Sequence, residues 1–250
     1  MNLGEAIDPP WSEVRQRWLK AVVHRPPRTV LQLFDAREGC TVRSSGFSLL
    51  GYADDREFNT RELLQKTHEN QRSLLHYQTE RVYQVFVDKP ELIKGKGVVY
   101  CNMRSFMDAK GEFWRVHQAS VPMQFDYAGR LVRYLSYYRI IGKYNGEPFE
   151  TDIFTDARFP EEERLLKAAL KQIKRDLLQG LGFTLRQEEI IRLILKKHSR
   201  KDIAEVLKID PRTVDKHRQA ILEKGREIFP LNQFSKADDV VVYLNRQWLL

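Results

Sequence analysis

Hydrophobic and polar positions alternate in the middle of the chain, which is typical of β-strands with one buried face. The alternation is clearest at Ala119, Val121, Met123 and Phe125. Three such stretches follow one another at 98–106, 113–125 and 131–141, with tight turns between them. Consecutive strands joined by tight turns predict an antiparallel sheet.

The stretches before this sheet predict a mixture of helices and strands. Residues 11–23 are predicted as a helix that ends at Pro26–Pro27, because proline disfavours helix in the residue before it. Residues 29–34 and 40–42 are predicted strands around a turn, and residues 62–83 are predicted as one helix. The chain therefore begins with a mixed α+β domain.

Helical periodicity replaces the strand pattern after Pro160, where a charged helix is predicted to run to Gln179 and stop at Gly180. Its apolar residues are spaced four, three and four apart, as in a heptad seam: Leu166, Leu170, Ile173 and Leu177. Packing on the same chain is favoured over a dimer-forming coiled coil, because fewer than two heptads do not specify one.

Start signals for three further helices follow. Thr184 and Gln187 have the spacing of a capping box, and Ser199 is the predicted cap of a short helix over 200–207. Asp210–Pro211 predicts the start of the next helix, because aspartate accepts the free amides and proline at the first position gives up no hydrogen bond. Two short helices joined by about three turn residues suit a protein that reads the major groove of DNA.

The charge of the chain agrees with this interpretation. The net charge of +8 over 250 residues suits an anionic partner. From Lys196 to Arg218 there are eight Lys and Arg against four Asp and Glu. A helical bundle with a solvated basic face would show the same excess, but the helix caps at this spacing favour DNA binding.

Three motifs occur in order in this region. Residues 183–188 read Phe-Thr-Leu-Arg-Gln-Glu, residues 199–204 read Ser-Arg-Lys-Asp-Ile-Ala, and residues 213–218 read Thr-Val-Asp-Lys-His-Arg. Together they resemble the LuxR/GerE type of helix-turn-helix domain, and residues 235–238 are similar to the start of its fourth helix. The resemblance covers a little over a quarter of the chain. It implies an all-α DNA-binding domain over 181–250.

Two residues depart from the family's pattern. Lys208 stands where the family usually has glycine in the turn, although a lysine can take the same conformation at modest cost. Asp215 stands where members often carry a lysine that contacts DNA. An aspartate there could accept a hydrogen bond from cytosine, or it could point at Lys216 or Arg218. These alternatives stay open.

The resemblance and helical geometry together predict the DNA contacts. Lys216 and Gln219 are expected to reach base edges, with Asp215 near them. The residues expected at phosphates lie at the starts of the two helices: Arg200, Lys201, Arg212 and Thr213.

The mixed domain also has recognisable motifs. Residues 45–52 read Ser-Gly-Phe-Ser-Leu-Leu-Gly-Tyr, and residues 111–114, 121–123 and 126–130 flank the turns of the last strands. These motifs resemble the short helix and the final hairpin of PAS domains, whose order is strand, strand, helices and three strands. The resemblance implies a sensing or dimerising PAS-like domain over 29–145, after a helical extension at 1–28 and before a linker at 146–180. It names no ligand.

No cofactor is predicted, and its identity stays unknown. Neither Cys40 nor Cys101 has the Asn-Cys-Arg-Phe setting of a flavin-adduct PAS domain. For His68, His76 and His117 a structural or surface role is favoured over haem ligation. The chain has no glycine-rich phosphate loop, no paired metal-binding histidines and no nucleophile motif, so neither a metal site nor catalysis is expected.

The fold class expected is an α+β PAS-like sensor domain followed by an all-α helix-turn-helix domain of LuxR type. The chain lacks a run of about 18 apolar residues, so no transmembrane helix is expected. No signal peptide is expected either, and two widely spaced cysteines suit a reducing, cytoplasmic compartment. The function predicted is sequence-specific DNA binding that regulates transcription.

A homodimer on double-stranded DNA is expected, because one short helix in one groove gives little specificity. A second stripe with spacings of four, three and four lies near the end of the chain: Ala237, Val241, Leu244 and Trp248. LuxR-type domains pair through their fourth helix, so the resemblance implies this face, and packing within its own domain is the alternative. RNA polymerase and a small molecule in the PAS-like domain are further candidate partners, and no membrane is.

Two other functions stay open. One is a sensing or protein-interaction module whose helix-turn-helix does not bind DNA, which Lys208 and Asp215 keep open. The other is a sigma-like promoter-recognition factor, which should carry a helical domain for melting promoters. The β-rich stretch 98–141 argues against that alternative.

Overall fold

The computed structural model describes residues 10–246, and these form two units. The first unit comprises the residues up to His68 together with Thr79–Lys171. The second comprises Glu69–Gln78 and the residues from Gln172 onward.

A six-stranded antiparallel sheet forms the centre of the first unit. Its strands are β1 (Thr29–Asp35), β2 (Cys40–Ser45), β3 (Val99–Met107), β4 (Phe113–Phe125), β5 (Leu131–Lys143) and β6 (Glu150–Phe154). They lie in the order β2-β1-β5-β4-β3-β6. Two strands, then helices, then the three strands β3, β4 and β5 is the order expected of a PAS-like domain, so the predicted fold class of this unit is confirmed.

Within residues 10–246, three α-helices precede β3 along the chain. They are α1 (Trp11–Val23), α2 (Thr60–Gln65) and α3 (Glu69–Asp88), and a single 3₁₀ turn (Phe47–Leu50) lies between β2 and α2. The bounds of α1 agree with the prediction. The short helix predicted after the second strand is present as the 3₁₀ turn.

The prediction of one helix over 62–83 is wrong, because the structure has two. The carbonyl of Lys66 accepts a hydrogen bond from the Met107 amide at 2.7 Å. The His68 amide donates to Ser105 Oγ at 2.9 Å. Both bonds lead from the break to β3, so backbone groups that would continue a helix are bonded to the sheet instead.

The strand β6 lies within the stretch 146–180 that the pattern predicts as linker. It pairs with β3, and its buried residues Thr151 and Ile153 alternate with exposed ones. An alternation this short does not distinguish a strand from a loop, so only the pairing with β3 reveals it.

Both faces of the sheet are covered. The inner face carries a largely aromatic core that includes Phe47, Phe58 and Phe106, and the Phe47 and Phe58 ring centroids are 5.0 Å apart. On the outer face, Met123 packs in a cluster with Trp18 of α1. The outer face accounts for the alternation seen along β4.

That alternation buries the predicted residues unequally. Met123 and Phe125 are buried, whereas Ala119 and Val121 are only partly buried. The expectation of one buried face therefore holds for the second half of β4 alone.

The second unit is helical. Its principal elements are the second half of α4 (Pro160–Gly180), then α5 (Leu185–Leu195), α6 (Arg200–Leu207), α7 (Pro211–Ile228) and α8 (Ala237–Arg246). The helix α8 packs on α5 and α7. A Cβ at Gly225 of α7 would lie 2.6 Å from Val240 Cγ2, so the close approach of α7 and α8 requires glycine.

Within residues 10–246, no helix is both long and apolar enough to cross a membrane. The same residues contain no group of three or more His, Cys, Asp or Glu side chains placed to hold a metal ion.

Candidate nucleic-acid interface

Side-chain caps fix the starts of the three helices that build this site, as predicted. Thr184 and Gln187 form a capping box at the start of α5. Ser199 forms a second capping box with Asp202 at the start of α6. Asp210 accepts a hydrogen bond from the Arg212 amide at 2.7 Å where α7 begins. These caps satisfy amides that would otherwise lack partners, and so they define where each helix begins.

The turn between α6 and α7 has a left-handed residue at Lys208, with φ of 52° and ψ of 47°. The amide of the next residue, Ile209, donates to the carbonyl of Ala204 at 3.0 Å, which closes the end of α6. The lysine therefore takes the conformation for which glycine would be usual.

The helix α7 presents one polar face to solvent. Arg212, Asp215, Lys216 and Gln219 are exposed, and Thr213 is partly exposed. On the opposite side Val214 and Ile221 are fully buried, as is Ile203 of α6. Ala204 of α6 is nearly so, at 5% exposed. The predicted base-reading residues thus share the accessible side of α7.

The carboxylate of Asp215 pairs with Arg200, which is at the start of α6. Arg200 Nη2 lies 2.7 Å from Asp215 Oδ2, and Arg200 Nε donates to the carbonyl of Pro211 at 3.2 Å. Neither Lys216 nor Arg218 is the partner, so the alternatives raised from the sequence for an intramolecular contact are wrong. The pair is about half exposed and therefore contributes little to stability.

Two other polar residues of α7 are also held by neighbours. Gln219 Nε2 donates to Glu223 Oε1 at 2.8 Å, one turn further along the helix. Arg218 forms an ion pair with Asp238 at the start of α8. Arg218 therefore connects α7 to α8, whereas Gln219 stays at the surface.

Several exposed cations of this surface have no ion pair with any residue in 10–246: Lys196, Lys197, Lys201, Lys208, Arg212 and Lys216. Two of the nearby carboxylates, Asp202 and Asp210, accept backbone hydrogen bonds as helix caps. The hydrogen bonds from the Ser199 backbone and side chain lower the pKa of Asp202. The surface formed by α6, α7 and the turn before α6 therefore has an excess of unpaired positive charge.

Lys196 and Lys197 were not among the predicted contacts. They lie between α5 and α6. The signal for them was the charge count over 196–218, which includes both. They extend the basic surface beyond the starts of α6 and α7.

The two apolar stripes proposed from the sequence as dimer faces are buried within the chain. Every member that the structure describes is at most 7% exposed: Leu166, Leu170, Ile173, Leu177, Ala237, Val241 and Leu244. Trp248 lies outside the described residues. The arrangement favours the alternative in which the stripes pack on the same chain.

A comparison with protein families gives this surface its context. Residues 182–224 match the family described as bacterial regulatory proteins of the luxR family. These residues are a LuxR-type helix-turn-helix domain. The predicted resemblance of α5, α6 and α7 is thereby confirmed.

Solved structures give more distant similarities. The phage VqmA–DPO complex is 15% identical over 95% of this chain and 93% of that chain, with a TM-score of 0.32. The Vibrio cholerae VqmA–ligand–DNA complex is 13% identical over 94% and 88%, with a TM-score of 0.30. Escherichia coli SdiA is 13% identical over 96% and 92%, with a TM-score of 0.28. Similarity at this level carries no argument about function. No curated protein matches the chain.

Proposed function

We propose that the chain is a transcription regulator that binds specific sequences of double-stranded DNA through the LuxR-type domain. The observation that carries the proposal is the exposed basic face of α6 and α7 within a domain that matches a family of regulatory proteins. Unpaired lysine and arginine side chains release counterions from DNA when they meet phosphates, which drives binding.

The division of roles along α6 and α7 follows their geometry. Arg212 and Thr213 lie at the start of α7, where backbone amides also favour phosphate, and we assign them to the DNA backbone. Lys201 lies in the first turn of α6 and has the same role. Lys216 and Gln219, further along the exposed side of α7, are assigned to base edges.

Arg200 and Asp215 form a unit within this interface. Their ion pair neutralises one cation and one anion where DNA would lie. We propose that phosphate competes with Asp215 for Arg200. Asp215 is then free either to accept a hydrogen bond from cytosine or to oppose binding.

The PAS-like unit is proposed to set the activity of the DNA-binding domain through a ligand or a partner. We assign sensing to residues 29–145 and DNA binding to 181–250. A regulator of this kind works where the DNA is, so we expect the chain in the cytoplasm, without catalytic activity. A homodimer on DNA and a contact with RNA polymerase belong to the same proposal.

Selection of bound genomic fragments, followed by titration of one selected site at several salt concentrations, tests the proposal. The full chain should bind, with an affinity that falls steeply as salt rises. Gln219→Ala should change the preferred site and cost about 1–3 kcal/mol on the original one. Arg212→Ala should weaken binding to all sequences alike and reduce the salt slope by about 1.

The control is Lys224→Ala on the same helix. Lys224 pairs with Glu227, with Nζ 3.0 Å from Oε1, and it is not assigned to DNA. This variant should bind as the unchanged chain does. Absent or salt-insensitive binding by the full chain would refute the proposal and favour a sensing or interaction module. An unchanged site preference in Gln219→Ala would refute its base-reading role.

A further inference from the structure

The inner face of the sheet in the first unit carries buried polar residues beside its aromatic core. Gln32 lies opposite Ser136, and Asn102 lies opposite Gln118, on neighbouring strands. All four are at most 8% exposed. The strands β1, β5, β4 and β3 are adjacent, so these side chains form one polar patch on the face that also carries Phe106.

Arg104 of β3 lies in this patch and is 4% exposed. Its Nη2 donates to Thr67 Oγ1 at 2.7 Å and to the Leu63 carbonyl at 3.2 Å, and its Nη1 donates to Gln118 Oε1 at 3.4 Å. All these acceptors are neutral. No carboxylate of residues 10–246 forms an ion pair with the guanidinium. A buried arginine keeps its charge, and a buried charge without a counter-ion is strongly unfavourable.

The surrounding ionisable groups do not supply the missing negative charge. Burial lowers the pKa of Arg104, and the groups that oppose this shift are the hydroxyls of Tyr138, Tyr134 and Tyr100. Burial raises the pKa of each of these tyrosines, so they are neutral at neutral pH. The positive charge of Arg104 therefore stands among uncharged groups.

The patch also contains two buried polar atoms that lack hydrogen-bond partners among the described residues. Asn102 Oδ1 and the Tyr100 hydroxyl are buried, and neither has a partner among the described residues. The neighbouring Gln118 amide does have partners, since its Nε2 lies 3.2 Å from Ser120 Oγ and 3.4 Å from Ser136 Oγ. Buried polar groups in native proteins are almost always bonded, so these two unbonded atoms need an explanation.

We propose that this patch binds a small aromatic carboxylate, with its carboxylate against Arg104 and a hydrogen-bond donor toward Asn102 Oδ1. The carboxylate would supply the counter-ion that the chain lacks. The neighbouring rings of Phe106, Tyr134 and Tyr138 suit an aromatic body, and the Arg104 guanidinium carbon lies 5.5 Å from the Phe106 ring centroid. A chloride ion would neutralise Arg104 but would leave Asn102 Oδ1 without a donor.

This ligand class is the proposed signal of the PAS-like unit. Its regulatory meaning rests on the proposed function. The residues that form the site all belong to the first unit. Its test therefore uses thermal unfolding of the full chain, a measurement that does not involve DNA.

The probe is 4-hydroxybenzoate at millimolar concentration and neutral pH, because its hydroxyl can donate to Asn102. We expect it to raise the Tm by about 3 °C or more, since a ligand that binds only the folded state stabilises it. The neutral analogue 4-hydroxybenzamide and sodium chloride at the same concentration should leave the Tm unchanged. Benzoate and phenylacetate, which lack the phenolic donor, should raise it less.

Gln118→Glu is the sharpest variant. It places a carboxylate where Gln118 Oε1 now lies 3.4 Å from Arg104 Nη1. This internal counter-ion should raise the Tm without ligand and abolish the response to 4-hydroxybenzoate. Arg104→Gln should also abolish the response. If Arg104→Gln does not fold, Gln118→Glu still tests the site. Arg139→Gln, at an exposed position on β5, should respond as the unchanged chain does.

Three outcomes would overturn the inference. One is the absence of a rise in Tm with all three carboxylates. Another is an equal rise with the amide or with chloride, and the third is an undiminished response in Gln118→Glu. A chain that binds DNA but none of the carboxylates would refute this inference alone. A chain that responds to the carboxylate but binds no DNA would refute the proposed function instead.

Discussion

Lys208 shows how a single residue can depart from a family's pattern and leave the fold intact. It occupies the left-handed region at the end of α6, where a side chain with a Cβ is strained. The bond from the Ile209 amide to Ala204 and the Asp210 cap nevertheless define the turn on both sides. The conformation was predictable from the family's usual glycine. The sequence indicates in addition only that a lysine can take this conformation at a modest cost in free energy.

Lys208→Gly should therefore stabilise the chain by about 0.5–1 kcal/mol, because relief of the strain exceeds the entropy that glycine adds to the unfolded state. Urea unfolding followed by circular dichroism measures this as a higher midpoint. Lys208→Ala is the control, since it removes the same charge but keeps the strain, and it should give no gain. Equal stabilisation by both variants would assign the effect to charge.

Asp215 is a residue whose partner could not be predicted, because Arg200 belongs to another helix. Only the packing of α6 against α7 brings the two together. Asp215→Asn removes a negative charge from the basic face and leaves Arg200 free for phosphate. We expect binding to all DNA sequences to tighten about tenfold, with the salt slope steeper by about 1.

Titration of one selected site and one unrelated site, at two salt concentrations, measures the effect of Asp215→Asn. Glu227→Gln on the last turns of α7 is the matched control for loss of one carboxylate, and it should change neither value. Weaker binding that is confined to the selected site would instead show that Asp215 reads a base there.

At the scale of elements, the sequence predicts best what is decided locally. The starts of α5, α6 and α7 follow from caps that lie within three residues of the helices they begin. The break between α2 and α3 and the strand β6 depend on bonds to β3, which is distant in sequence. Local periodicity carries no information about such pairings, which is why one helix was predicted for two and β6 was missed.

The turn between β3 and β4 is stabilised by one carboxylate. Asp108 accepts hydrogen bonds from the amides of Lys110 and Glu112, both at 2.9 Å, and from Trp114 Nε1 at 3.0 Å. Burial acts to raise the pKa of Asp108, but the hydrogen bonds from Trp114 and the two amides outweigh it and lower the pKa. The folded state therefore binds the proton less readily than the unfolded chain, whose aspartate pKa is about 3.9.

A lowered pKa in the folded state means that the carboxylate of Asp108 stabilises the fold above about pH 4, and that this is lost as the pH falls through the folded-state value. Asp108→Asn should cost about 1–3 kcal/mol at neutral pH, because hydrogen bonds to a charged acceptor are lost. It should also flatten the fall in stability on acidification. Urea midpoints between neutral and strongly acidic pH, with exposed Asp55→Asn as control, measure both effects. Parallel curves for Asp108→Asn and the unchanged chain would contradict this prediction.

At the scale of the whole molecule, the two apolar stripes bear on how two copies would meet. The stripes on α4 and α8 are buried within the chain, so they do not form a free face. The same spacing suits a coiled coil and a helix that packs on its neighbours, and the sequence cannot separate these alternatives. On α8 one apolar residue remains accessible, Val242, which is 50% exposed.

We predict a homodimer on DNA in which Val242 contributes to the contact between the two α8 helices. One recognition helix reads few base pairs, so pairing on two half-sites is what gives a domain of this size its specificity. Val242→Glu should reduce the complex on a two-half-site DNA from two chains to one and weaken binding about tenfold, because a charge would be buried at the contact.

Sedimentation of the full chain with and without this DNA measures the stoichiometry. Leu185→Glu, which alters an apolar residue of α5 that is even more accessible at 67% exposed, should leave the stoichiometry at two. One chain bound to a site without a repeat, even at high protein concentration, would refute dimerisation, whereas an unchanged two-to-one complex of Val242→Glu would refute only the role of α8.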